Sequence, residues 1–186
     1  GPSLGDLDGD GDLEIAWPTR DGKVVVVQPD GTSISPGFPF DSGSGRAVSA
    51  VSFADLLAPG SPAIVFTTGG AAFAVDPSGN PAAGFPVVTG SGQLDAVVIG
   101  RIAEPATARP QLVTAAEHGF VHVITADGTR PRDWPHYYPS GEVLPPAVVD
   151  IDGDQISETV VASGGHLWIL DSGVAPLGDA RRRWPQ

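Results

Sequence analysis

The chain has 186 residues, 41% of them hydrophobic and 17% charged, with a formal net charge of −12. One lysine, Lys23, and nine arginines stand against 22 acids, a balance that excludes a nucleic-acid binder, which needs a basic face. No apolar run approaches the ~20 residues of a membrane span, so no membrane insertion is expected, and without Cys there are neither disulfides nor thiol chemistry.

The 25 Gly and 19 Pro are about twice the usual share of a globular chain and punctuate many short turns. The absence of Met implies that the chain is cut from a longer one, and Gly1-Pro2 reads as a protease-cleavage remnant.

In chain order, an acidic run from Asp6 to Glu14 leads into two apolar stretches joined by a tight turn, "EIAWPTRDGKVVVVQ". A polar-Gly turn, Asp30-Gly31, and an aromatic-Pro pair, Phe38-Pro39, follow. The pattern then repeats. The aromatic-Pro pair returns as Phe85-Pro86, Trp134-Pro135 and Trp184-Pro185, at intervals of 47, 49 and 50 residues. The polar-Gly turn returns as Ser78-Gly79, Asp127-Gly128 and Ser172-Gly173, after the hairpins "AIVFTTGGAAFAV", "QLVTAAEHGFVHVIT" and "ETVVASGGHLWIL".

β-Branched and aromatic residues on either side of D-G, G-G or H-G turns predict hairpins. With one apolar stretch before each hairpin and one segment after it, each unit holds about four strands, the content and period of a propeller blade. The predicted fold is all-β: one propeller domain over residues 1–186, with four blades of four antiparallel strands each. Blade limits are approximately 3–40, 41–87, 88–138 and 139–186. Four blades also suit half of an eight-bladed ring. The first unit is short at its start, so its innermost strand is expected to be truncated.

Two units carry an acidic loop: Asp6, Asp8, Asp10, Asp12 and Glu14 in the first, and Asp150, Asp152, Asp154 and Glu158 in the fourth. Both place acids at loop positions 1, 3, 5 and 9. Unpaired, such a row repels itself. A hard cation with six to eight oxygen ligands suits a curled loop of this kind, with a backbone carbonyl near position 7 (Asp12, Ile156) filling a gap. Calcium fits better than magnesium, which keeps more water. An EF-hand is excluded because its Glu at position 12 is here Trp17 or Val161. The other units have lost the loop: Leu57 and Pro59 replace acids after Asp55, and Arg101 and Pro105 do so in the third unit. Two calcium sites are therefore expected.

At these residues the sequence resembles the FG-GAP/VCBS family of calcium-loop propeller repeats, the kind also found in integrin α-subunit heads. The matching stretches are "LGDLDGDGDLEIAWPTRDGKVVVVQPDGTSISPGFP" and "VVDIDGDQISETVVASGGHLWILDSG". The resemblance implies a secreted or cell-surface propeller that uses calcium for rigidity and its loops for adhesion or recognition. Family propellers commonly have seven or eight blades, and four is a departure.

The segment "DWPHYYPSG" gathers Trp134, His136, Tyr137 and Tyr138, a candidate aromatic surface for a glycan or peptide. His118 and His122 read as strand histidines rather than metal ligands, Trp17 and Trp168 as inter-blade core, and Arg181 to Arg183 as a solvated basic face. There is no G-x-S-x-G elbow, and spacing defines no acid pair around Glu104 or Glu142. The expected function is a non-catalytic, calcium-stabilised recognition propeller for a protein or glycan. The alternatives are a half-propeller that forms an eight-bladed homodimer, and a calcium-dependent polysaccharide lyase. Lone Lys23 and the negative charge, which repels acidic substrates, argue against the lyase.

Overall fold

The computed structural model describes residues 1–102, 109–139, 143–151, 153 and 157–170. These form four antiparallel sheets in series. Blade one is β1 (Ser3–Gly5), β2 (Glu14–Pro18), β3 (Lys23–Val27) and β4 (Phe40–Asp41). Blade two is β5 (Ser52–Ala58), β6 (Ser61–Thr68), β7 (Ala71–Val75) and β8 (Val87–Val88). Blade three is β9 (Val98–Gly100), β10 (Gln111–Ala116), β11 (Phe120–Ile124) and β12 (His136–Tyr137). Blade four is β13 (Ala147–Val149), β14 (Glu158–Ser163) and β15 (His166–Leu170). Its expected outer strand, with Ser172-Gly173, Arg181 to Arg183 and Trp184-Pro185, lies outside the described residues.

Every hairpin between second and third strands turns on a glycine with positive φ: Gly22, Gly70, Gly119 and Gly165, at 94°, 90°, 88° and 75°. A side chain would be strained there, which explains the recurrent X-Gly signature. The three described aromatic-Pro bonds, Phe38-Pro39, Phe85-Pro86 and Trp134-Pro135, are all cis.

Two expectations need correction. The innermost strand of blade one is not unusually short: β1, β9 and β13 each have three residues, and only β5 is longer. His118 is not a strand residue. It sits in a 3₁₀ turn (Glu117–Gly119) at φ 66°, whereas His122 lies in β11.

Because strand side chains alternate, each blade has one face toward the preceding blade and one toward the next. The face of blade one toward blade two carries Ala16, Val24 and Val26, packed against Ile64, Phe66 and Phe73. Blade two in turn presents Val65, Ala72 and Ala74 to Leu112 and Ile124 of blade three. Blade three presents Val113, Val121 and Val123 to Val161, Trp168 and Leu170 of blade four. Small residues thus face forward and large ones backward. The innermost strands follow the same rule, since a methyl group at Gly5 would collide with the Phe53 ring and one at Gly100 with Val148.

Candidate metal centre

The acidic loop of blade one connects β1 to β2, and Gly5 pairs with Glu14 at the point where β1 ends and β2 begins. Glu14 is fully buried, and its Oε2 accepts the Leu7 N–H at 2.6 Å. Its Oε1 is also buried and has no hydrogen-bond partner among the described residues. A carboxylate oxygen left so is costly unless a cation compensates it. Burial raises the Glu14 pKa, Asp8, Asp10 and Asp6 add to that, and the Leu7 N–H opposes it.

Oxygens of Asp6, Asp8 and Glu14 lie within 4.8 Å of one another. Asp6 accepts the Gly9 and Gly11 N–H groups at 2.7 and 3.1 Å, which curls the loop around this trio. Asp10 and Asp12 lie outside it: Asp8 accepts the Asp10 N–H at 3.3 Å, and Asp10 accepts the Asp12 N–H at 2.8 Å.

Blade four repeats the frame. Val149 pairs with Glu158 as Gly5 does with Glu14. Glu158 Oε2 accepts the Ile151 N–H at 2.7 Å, and Asp150 accepts the Gly153 N–H at 2.7 Å. Glu158 Oε1 is buried and, among the described residues, without a partner. Asp152, Asp154 and Ile156 lie outside the described residues.

Blades two and three show what the fold does without the acids. Asp55 gives both oxygens to the Gly60 and Ser61 N–H groups, each at 3.0 Å. In blade three Gln111 takes the place of Glu14, pairing with Gly100. Its Oε1 accepts the Ile102 N–H at 2.8 Å, and its Nε2 donates to the Arg109 carbonyl at 3.3 Å. The neutral amide is satisfied at both ends where the carboxylate leaves one oxygen bare. Sequence reading missed Gln111 because this loop is two residues longer, so counting from Arg101 falls on Arg109; only strand pairing reveals it. Glu104 lies outside the described residues, as does Glu142.

Strand alternation divides the aromatic segment. Tyr137 is 57% exposed and lies against Phe120, with ring centroids 5.0 Å apart. His136 turns the other way, edge-on to Trp134 at 4.4 Å. Tyr138 is buried against Trp168 at 5.7 Å, in the junction with blade four. The four residues do not form one surface; Tyr137 is the outward one, seated on Phe120, which itself packs against the core between blades two and three.

No family model matches this sequence, and no curated protein matches it. Solved structures do match. A crystal structure of BBS1N in complex with ARL6DN, soaked with lead, covers 93% of this chain at TM-score 0.60 and 16% identity. A mercury-soaked crystal of the same complex covers 93% at TM-score 0.61 and 16% identity. The computationally designed Ika8 protein covers 91% at TM-score 0.53 and 15% identity. Both proteins are β-propellers, and this chain has the propeller-type all-β fold. It spans about half the length of the structures it matches, 50%, 54% and 45% of those chains.

Proposed function

We propose that this chain is a calcium-stabilised, non-catalytic recognition module of the FG-GAP/VCBS kind, working in a secreted or cell-surface protein. The observation that carries the calcium reading is the pair of buried oxygens on Glu14 and Glu158, at one position of the repeat, that have no hydrogen-bond partner among the described residues. Gln111, satisfied at the same position, supports it. Asp6, Asp8 and Glu14 would hold the ion in blade one, and Asp150 and Glu158 would do so in blade four. The ion supplies positive charge that neutralises the acids and ties β1 to β2. Two such ions would bring the formal charge from −12 to −8.

The ligand in this reading is a protein or glycan, met by outward loops and the Phe120–Tyr137 pair. Aromatic faces of this sort stack on sugar rings and anchor peptides. Tyr137→Ala, which removes an exposed ring and leaves the core intact, should abolish binding on a glycan or peptide array without changing the melting temperature. Retained binding would exclude this surface.

A second reading concerns assembly, and the open blade flanks favour it. Leu4 on blade one is 63% exposed, and Val149 and Leu167 on blade four are 46% and 48% exposed. β1 packs beside β5, and β9 beside β13. In this reading the four blades are half of an eight-bladed ring.

A further inference from the structure

We propose that the open flank of blade four docks onto the open flank of blade one of a second copy, closing an eight-bladed ring with two identical junctions. This rests on the half-ring reading and adds the partner and the register.

The first observation is positional. Leu4 pairs with Ile15 and Ile15 with Val27, while Trp17 pairs with Val25, so these five share the backward face of blade one. In blade two the same positions are Phe53, Ile64, Val75, Phe66 and Phe73. There Ile64, Val75 and Phe66 are fully buried, and Phe73 is 6% exposed. Their counterparts Ile15, Val27, Trp17 and Val25 are only half-buried. Trp17, expected in the inter-blade core, therefore sits on a core-type face that lacks its neighbouring blade. Lys23, 3.5 Å from Asp21, and Asp41 lie at its edge as a polar margin.

The second observation is a turn without its partner. A methyl group on Gly79 would meet the backbone of Gly37 at 2.6 Å, and one on Gly128 would collide with Gly84, each on the preceding blade. Gly31 occupies the same turn in blade one, and a methyl group there would meet nothing within 4 Å.

The third observation selects the partner. At the three internal junctions the third strand presents Val24 and Val26, Ala72 and Ala74, or Val121 and Val123 forward. These meet larger pairs: Phe73 and Val75, His122 and Ile124, or Trp168 and Leu170. Blade four departs, presenting Leu167 and Ile169, which share the forward face with Val160 and Ala162. Blade one departs in the opposite sense, with only Val25 and Val27 at the receiving positions. Each change alone would overpack a junction or leave a void. Set against each other, these third-strand pairs restore a combined bulk within the range of the third-strand pairs at the internal junctions, with Trp17 beside them on the second strand. Among the four blades described, blade one offers the small receiving pair, and a second copy brings that pair to the open flank of blade four. In the innermost layer, Gly5 against Phe53 and Gly100 against Val148 place Leu4 of one copy on Val149 of the other.

The chain has no cysteine, which permits a direct test. Wild-type protein is weighed in solution by light scattering, and Leu4→Cys and Val149→Cys variants are prepared separately, mixed and oxidised with diamide. The proposal expects a particle of twice the 19.0 kDa chain mass, and a disulfide-linked dimer in the mixture but in neither variant alone. A ring with two-fold symmetry keeps the two copies of position 4 at opposite junctions. A wild-type monomer overturns the half-ring reading itself. A wild-type dimer whose mixture does not cross-link keeps assembly and overturns this register. Leu167→Arg guards against a misfolded variant: its side chain is exposed in the single chain, so it should shift the particle to monomer with its fold, read by circular dichroism, unchanged. A dimer that survives Leu167→Arg also overturns the register.

Discussion

Glu14→Gln has opposite effects with and without calcium. In chelator the variant should be more stable than the wild type by about 2 kcal/mol, because the amide removes a buried, uncompensated charge. That corresponds to a melting temperature roughly 4–8 °C higher for a domain of this size. The fold already contains the outcome: Gln111 occupies this position in blade three with both ends of its amide bonded. In millimolar calcium the sign reverses, because the variant has lost an anionic ligand. A 100-fold loss of affinity would forfeit about 2.7 kcal/mol of ligand-linked stability. Differential scanning calorimetry of both proteins in both buffers reads the crossing. A variant that shifts the same way in both buffers would show that Glu14 serves the loop without an ion.

His122→Leu should stabilise the domain and flatten its acid sensitivity. His122 is fully buried between blades two and three, and neither ring nitrogen has a hydrogen-bond partner among the described residues. Its counterparts are Val25, Phe73 and Trp168, all apolar. Burial, with the Arg130 charge adding to it, lowers its pKa to about 4. An unfolded chain takes up this proton near pH 6.5, so between about 6.5 and 4 the unfolded state binds more protons than the folded one. The stability associated with neutral His122 is thus complete above about pH 6.5 and falls as the pH drops toward 4. The loss approaches about 3 kcal/mol and levels off below that. Leucine removes this dependence and the two unsatisfied nitrogens. Urea midpoints measured from pH 7 to pH 4 should fall less steeply for His122→Leu than for the wild type. Parallel slopes would mean that the imidazole is protonated in the folded state or reaches solvent.

The repeat made most of the fold legible. Hairpin turns require a glycine at one backbone position, so Gly22, Gly70, Gly119 and Gly165 mark the chain at regular intervals, and the β-branched runs on either side leave little alternative. Strand length was less readable. β1, β9 and β13 end after three residues, while the apolar stretches that suggested longer strands continue into loops that also bury side chains, such as Leu94 and Val97. The acidic loops were legible by spacing, yet the comparison that gives Glu14 its meaning was not, because an insertion moved Gln111 out of register. The aromatic segment shows the opposite lesson. Alternation along a strand places neighbours on opposite faces, and this alone divides Tyr137 from His136 and Tyr138. Trp17, expected between blades, is half-buried on a face that no described blade of the chain covers, and no sequence reading could tell that.

Equilibrium dialysis against radioactive calcium, with magnesium present as competitor, tests the calcium assignment most directly. The wild-type chain should retain two calcium ions, and Asp8→Ala, which removes one of the three converging carboxylates of blade one, should retain one. A chain that retains no calcium, or a variant that retains as much as the wild type, would contradict the account.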